Sequence, residues 1–181
     1  MRQWYLDVIQ IPMGWMGLLA SSVGLCRTTL PQRTPYECMI ALGSDVDMAR
    51  NTPEHFETLR EKLTRYFYGV LVTFIDEPID IAEASRFNRS VWNVCRTIPF
   101  GETRSYKWLA IRAGSPSAYR AAGQSMAKNK LPIIIPCHRV VTTNGSLGGF
   151  GRGATQVDLK RRLLDLENGV FDRGRTLLID R

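Results

Sequence analysis

The run Ile133-Ile134-Ile135-Pro136-Cys137-His138-Arg139-Val140-Val141 constrains this chain more than any other stretch. Its β-branched flanks read as a buried strand. Buried strands seldom carry a thiol, an imidazole and a guanidinium in succession. A cysteine is nucleophilic only as thiolate, and a neighbouring base with a fixed positive charge lowers its pKa from ~8.5. Free cysteine is also a common packing residue. Taken alone, the run therefore reads either as a reactive site or as core.

The rest of the chain has room for that site and for a core around it. With 181 residues, 44% hydrophobic and 23% charged, it has globular composition and suits one domain or two small ones. Pro12, Gly14, Gly17, Ser21 and Ser22 interrupt the most apolar early segment, so no membrane span is expected. The amino terminus lacks a basic region followed by an apolar one, so a soluble intracellular protein is expected, cytoplasmic or, in a eukaryote, nuclear. Cys26, Cys38, Cys95 and Cys137 form no CxxC pair, and His55 and His138 are the only imidazoles. No zinc site of the usual spacing is present, and reduced cysteines are expected.

Charge divides the chain. Residues 1–80 hold seven Lys/Arg against ten Asp/Glu, whereas residues 81–181 hold seventeen against seven. A near-neutral half joined to a strongly basic one favours a polyanion partner for the second half.

Residues 3–10 and 16–26 read as an opening strand pair, with further strands at 36–42 and Val70–Ile75. Between those two, Phe56, Leu59, Leu63, Tyr66 and Phe67 recur at helical spacing, with Thr52 as N-cap, Pro53 at the first position and Gly69 as stop. His55 is expected at the surface. Asp76 to Glu83 reads as a linker, which places an amino-terminal α+β domain at 1–80 and a mostly helical domain at 81–181.

In the second half, Phe87, Val91, Val94, Cys95 and Ile98 share one helix face, making Cys95 a packing residue. Two short helices follow, one capped by Ser105 and one running from Ser117 to about Lys128, separated by the Gly114-Ser115-Pro116 turn. That is a helix-turn-helix pattern. Its second helix is rich in small residues and carries Arg120, which suits either close approach to DNA or tight internal packing. Asn144-Gly145 signals a tight turn. The glycine-dense run Gly148 to Gly153 reads as a loop whose backbone must approach something closely. A last helix runs from near Thr155 to Gly169, and Glu167 sits on its final turn, where the helix dipole disfavours a carboxylate. Glu167 therefore calls for a partner, and it could orient His138. Neighbouring side chains of a strand point to opposite faces, so His138 reaches Cys137 through water or another group. A thiolate beside a DNA-binding helix could belong to an enzyme, a regulator or a redox sensor.

Pro136-Cys137-His138-Arg139-Val140 resembles the active-site signature of the O6-alkylguanine-DNA alkyltransferase (methylated-DNA–protein-cysteine methyltransferase) family. Phe87 to Trp92, Ile98 to Tyr106, the Arg120 helix, Asn129, the glycine loop and Leu163-Leu164-Asp165-Leu166-Glu167 follow in the family's order, covering roughly residues 85–169. The resemblance implies an α+β fold: a ribonuclease-H-like amino-terminal domain and a winged-helix-like carboxy-terminal one. It implies a monomeric, cofactor-free, single-turnover repair protein acting on O6-alkylguanine, chiefly O6-methylguanine, with O4-methylthymine as a second lesion, in the minor groove of double-stranded DNA. Cys137 would accept the alkyl group, His138 would act as base through water, Glu167 would orient His138, and Asn129 would bridge the recognition helix and the active-site strand. Tyr106 would help rotate the nucleotide and donate a proton to guanine N3, while Arg120 would fill the gap in the stack. Ser105, Ala121, Gly123 and Arg139 would join Arg120 and Tyr106 on DNA. Val140, Gly149, Phe150 and Gly151 would line the alkylguanine pocket. Lys130, Phe150 and a longer stretch from Gly153 to Leu159 depart from the usual pattern around that pocket. The remaining alternatives are an alkylation sensor that binds without repairing, and a thiol-based redox regulator.

Overall fold

A computed structural model describes residues 3–151 and 154–169, so Arg152 and Gly153 of the glycine loop and the tail 170–181 lie outside it. The architecture is α+β. Strands β1 (Trp4–Ile11) and β2 (Gly14–Ser21) form the anticipated antiparallel hairpin, with Ile11 opposite Gly14. β3 (Leu25–Thr28) pairs antiparallel with β2, and the two-residue β4 (Arg50–Asn51) pairs parallel with β1, giving the order β3-β2-β1-β4. Gly14 has φ +125, and a Cβ there would lie 2.2 Å from the Gln32 carbonyl oxygen. Only glycine lets this turn close on the chain that borders it.

Period-2 alternation buries both sheet faces. Leu6 and Leu19 meet Leu42, whereas Ile9, Ile11, Leu18 and Ala20 join the main core. Residues 36–42, expected as a strand, form helix α1 (Pro35–Leu42). Thr34 accepts a hydrogen bond from the Glu37 amide and Pro35 opens the first turn, so N-cap chemistry outweighs the short apolar run. Helix α2 (Glu57–Phe67) follows a 3-10 turn at Pro53–Phe56, buries Leu59, Leu63, Tyr66 and Phe67, and ends at Gly69 with φ +79. His55 is exposed and stacks on Tyr5 at 3.9 Å.

Val70–Ile75, the other expected strand, alternates in burial but pairs with no strand among the described residues. The Arg96 guanidinium instead donates to the carbonyls of Phe74, Ile75 and Glu77. Backbone pairing, which periodicity does not report, decided that difference. The segment between the halves is tacked to β3: the Leu25 amide donates to Pro78 and the Asp80 amide to Leu25.

The second half holds α3 (Arg86–Arg96), β5 (Arg104–Ser105), α4 (Tyr106–Arg112), α5 (Tyr119–Ala127), β6 (Val140–Val141) and α6 (Val157–Glu167). Ser105 caps α4 by accepting from the Trp108 amide. α5 begins at Tyr119 rather than Ser117, and α6 at Val157 rather than near Thr155. One buried cluster spans both halves of the chain, from Ile9 and Leu63 to Ile133, Cys137 and Leu166. Thr28 reinforces the join, its amide donating to the Lys130 carbonyl (2.9 Å) and its hydroxyl to the Pro132 carbonyl (2.8 Å). The amino-terminal sheet thus anchors the chain just before Cys137.

Candidate functional site

The Ile133 run is not a strand. Ile133 adopts φ 75, the Ile135 amide turns back to the Leu131 carbonyl, and Cys137–Arg139 forms one 3-10 turn before β6. A β-branched residue in the left-handed region stores strain, which the packing of a residue only 1% exposed must offset. Apolar β-branched residues signalled burial correctly here; the turn itself left no local signature.

Within that turn the three polar side chains diverge. Cys137 Sγ accepts from the Asn129 side-chain amide at 3.2 Å, and the same amide donates to the Ile135 carbonyl at 2.9 Å. Asn129 Oδ1 in turn accepts from the Leu131 amide, so the side chain clamps the turn and touches the sulfur. Burial pushes the Cys137 thiol above its ordinary value, and Asn129 and Lys160 oppose that shift. The proximity of a base and a cation therefore does not yield a resting thiolate: desolvation outweighs both.

Behind the thiol lies a buried ionic cluster. His138 Nε2 is 2.7 Å from Glu167 Oε1, the Arg139 Nε and Nη2 groups donate to the two Glu167 oxygens at 2.9 Å, and the Gly101 amide donates to Oε2 at 3.0 Å. Tyr66 of α2 adds its hydroxyl, 2.7 Å from Oε1 and 3.2 Å from His138 Nε2. Burial alone would raise the Glu167 pKa, but bonding to His138 and Arg139 holds the carboxyl well below the usual carboxylate range. Burial lowers the pKa of His138, and Glu167 opposes it. The dipole-disfavoured position of Glu167 is thereby explained: four residues compensate it. Among the described residues, Nδ1 of His138 is buried without a partner, and no hydrogen bond joins the ring to the Cys137 thiol. The backbone that carries both residues is a turn and not the anticipated strand.

Arg139 requires correction. Expected on the DNA surface, it is 6% exposed, bonded to Glu167 and, at 2.6 Å, to the Ile98 carbonyl. Its bidentate fork fits a buried carboxylate, and that pairing withdraws it from solvent.

A cleft of about 1610 Å³ opens over the thiol, lined by Tyr106, Gly123, Asn129, Cys137, Gly149 and Phe150. Gly151 lies on the same wall. Tyr106 borders the cleft between α5 and the glycine loop. A Cβ on Gly123 would lie 3.7 Å from its ring, and one on Gly148 would lie 3.3 Å from its hydroxyl. Burial, then Cys137, raises the Tyr106 pKa, so it keeps its proton. Arg120 and Ala121 are exposed on α5, whose opposite face buries Ala122, Ser125 and Met126. Ser105 is half-buried at the start of α4. The Val140 carbonyl, expected in the pocket wall, accepts from Lys160 Nζ at 2.5 Å.

Residues 86–169 match the DNA-binding domain of 6-O-methylguanine DNA methyltransferase. The methylated-DNA–protein-cysteine methyltransferase of Methanosarcina barkeri is 35% identical over 164 residues, spanning 90% of this chain and 96% of that protein. The chain belongs to the O6-methylguanine-DNA methyltransferase family. The family's protein from Mycolicibacterium paratuberculosis is 44% identical over 125 residues, 69% of this chain and 73% of that one. The crystal structure of the Mycobacterium tuberculosis O6-methylguanine methyltransferase superposes with a TM-score of 0.75 at 32% identity, over 92% of this chain and 94% of that one. A second structure of the tuberculosis protein, in complex with DNA, gives 0.74 at 33%, over 91% and 93%.

Two residues that sequence reasoning passed over bond to these groups. Tyr66 looked like one more apolar position of α2, though a buried tyrosine hydroxyl usually finds a partner. Lys160 is fully buried, bonds the Val140 and Leu147 carbonyls, and lies within 6 Å of the Tyr106 and Phe150 ring centroids. Burial depresses its pKa to about 8. The signal was available: Lys160 shares the apolar stripe of α6 with Leu163, Leu164 and Glu167, where a lysine must be paired.

Proposed function

We propose that this protein repairs alkylated DNA: it takes an O6-alkylguanine out of the duplex from the minor groove and transfers the alkyl group irreversibly to Cys137. The observation that carries the reading is the junction of three parts. A thiol bonded by Asn129 sits in an open cleft, a Glu167-held imidazole with a bare Nδ1 lies behind it, and an exposed arginine projects from the small-residue helix beside it.

The chemistry follows from those groups. Displacement at an sp³ carbon needs a soft nucleophile, and thiolate is the best a protein offers. In the resting site the thiol is protonated, so its proton must leave when substrate arrives. Water entering beside Nδ1 carries that proton to His138, and Glu167 stabilises the imidazolium. The sulfur–carbon bond then forms as the carbon–O6 bond breaks. The departing guanine anion takes a proton at N3 from Tyr106, and the imidazolium's proton restores Tyr106 through solvent. The thioether has no hydrolytic exit, so each molecule acts once. Arg120 occupies the space left in the base stack, the role that base flipping demands of a wedge. Small neighbours such as Ala121 and Gly123 let α5 sit close to the groove floor, where readout is degenerate and a lesion can be met in any sequence. The protein acts as a monomer, since one chain supplies every group named.

Intact-protein mass spectrometry after mixing with a duplex holding one O6-methylguanine tests the reading. One methyl group per protein is expected, on Cys137 and absent from Cys137→Ala. A protein that binds the duplex and stays unmodified would refute it.

A further inference from the structure

Tyr66 is the one residue of positions 3–80 whose side chain, among the described residues, hydrogen-bonds to the Cys137–His138–Glu167 group. It is completely buried in α2, and its ring packs edge-on against Phe67, Phe74 and Phe100 at centroid distances of 5.1, 5.8 and 5.9 Å. A phenylalanine would fill that space equally well. The hydroxyl therefore asks for an explanation that packing does not supply.

Its hydrogens can be counted. Glu167 is a carboxylate and only accepts, so the Tyr66 hydroxyl donates to Oε1 across 2.7 Å. Nε2 of His138 faces the same anionic oxygen at 2.7 Å, which requires a hydrogen on Nε2. That N–H also points at the Tyr66 oxygen, 3.2 Å away, whose lone pairs are free because its hydrogen is committed to Glu167. The three atoms close a triangle that admits one proton arrangement. In the neutral ring, Nδ1 then carries the lone pair, and Nδ1 is the atom with no partner among the described residues.

We infer that Tyr66 is a positioning residue for the transfer reaction: its hydroxyl, delivered by the amino-terminal half, holds Glu167 and the Nε2–H tautomer of His138 so that Nδ1 receives the Cys137 proton. The inference rests on the repair reading above and gives residues 1–80 a part in the chemistry beyond support. Two effects of the hydroxyl on the ring compete. By donating to Oε1 it draws charge from the carboxylate and disfavours imidazolium, and by presenting its oxygen to Nε2 it favours imidazolium. The first contact is 0.5 Å shorter and made to an ion, so it prevails. Tyr66 thereby keeps the base free of a proton on Nδ1 near neutrality. The other groups that act on His138 are Glu167 and Lys160 of α6 and Arg139 of its own turn; the two cations already disfavour imidazolium and are unchanged by substitution at 66.

The test is single-turnover transfer by the full-length protein from an O6-methylguanine duplex, read by intact mass from ~pH 5 to ~pH 9, where imidazole and thiol titrate. Tyr66→Phe is expected to slow transfer by about tenfold on the acid side of neutrality, the fold-change that one unit of pKa imposes there. Its acid limb is expected to move up by about one pH unit, since a tenfold rise in the protonated fraction is one unit of pKa. A purely structural role would reduce the fraction of active protein and leave the limb where it was, and an unmoved limb overturns the inference. Should Tyr66→Phe fail to fold, 3-fluorotyrosine at position 66 decides the matter. Its phenol is the stronger donor, and the limb should move down; a limb that stays overturns the inference. Wild-type protein that gains no methyl would instead sink the repair reading itself, an outcome distinct from both.

Discussion

Replacing Glu167 with glutamine should be the most damaging isosteric change available in this protein. The carboxylate accepts from Tyr66, His138, Arg139 and the Gly101 amide, and its side chain is fully buried against an Arg139 side chain 7% exposed. An amide presents one acceptor and one donor, so two of those hydrogen-bond donors would meet an N–H group, and the guanidinium would lose its only counter-ion in the cluster. Removing one partner of a buried pair costs about 3–5 kcal/mol. For a chain of this length about 2–4 °C accompany each kcal/mol, so Tm should fall by roughly 6–20 °C at pH 7.

The loss should also depend on pH. The folded carboxyl titrates well below the usual range, so its contribution is complete above the unfolded value of ~4.3 and fades as pH falls through the window beneath it. The gap between wild type and Glu167→Gln should therefore be constant from neutrality to ~pH 5 and narrow by ~pH 3. Adding Arg139→Met should recover part of the loss, because the orphaned guanidinium, and not a lost attraction, dominates the cost. Calorimetry or circular dichroism across that range reads all three. A Tm drop of under ~2 °C, or a gap that does not narrow in acid, would refute the account of the cluster.

Lys160→Met tests the other buried charge. The folded lysine titrates near 8 against an unfolded value of ~10.4, so wild-type stability should rise between those pH values as the unfolded state loses its proton, and the rise should be missing from the variant. Parallel Tm curves across that interval would contradict the assignment. Arg120→Ala should slow transfer from duplex DNA far more than reaction with free O6-alkylguanine base, measured by the same mass assay; equal slowing of both would rule out the wedge.

Much of the site was legible because its chemistry is local. Cys137, His138 and Glu167 declare themselves by being wrong for their positions: polar groups inside apolar runs, and an acid at the carboxy end of a helix. Asn129 and Arg120 gained meaning only from the order of motifs around them. The helices α2, α3 and α6 followed from their apolar stripes, and Ser105 from its cap. The three misread elements share one cause. Residues 36–42, 70–75 and 133–135 are short apolar runs, and over such lengths strand, extended coil and buried turn bury the same residues. Thr34 and Pro35, the Arg96 guanidinium, and the left-handed Ile133 decided among them.

By itself, then, the sequence determined the family signature around Cys137, the charge division of the chain and the mixed α+β class, because composition, periodicity and motif order are properties of neighbours along the chain. Tertiary structure alone decided how those groups are charged and aimed. It turned Arg139 inward from the DNA surface to Glu167, left the thiol protonated through burial, and left Nδ1 of His138 bare. It also brought Tyr66 across 72 positions to His138 and 101 to Glu167. Desolvation and long-range hydrogen bonding depend on what surrounds a group in space, and a buried tyrosine on an apolar helix face does not name its partner.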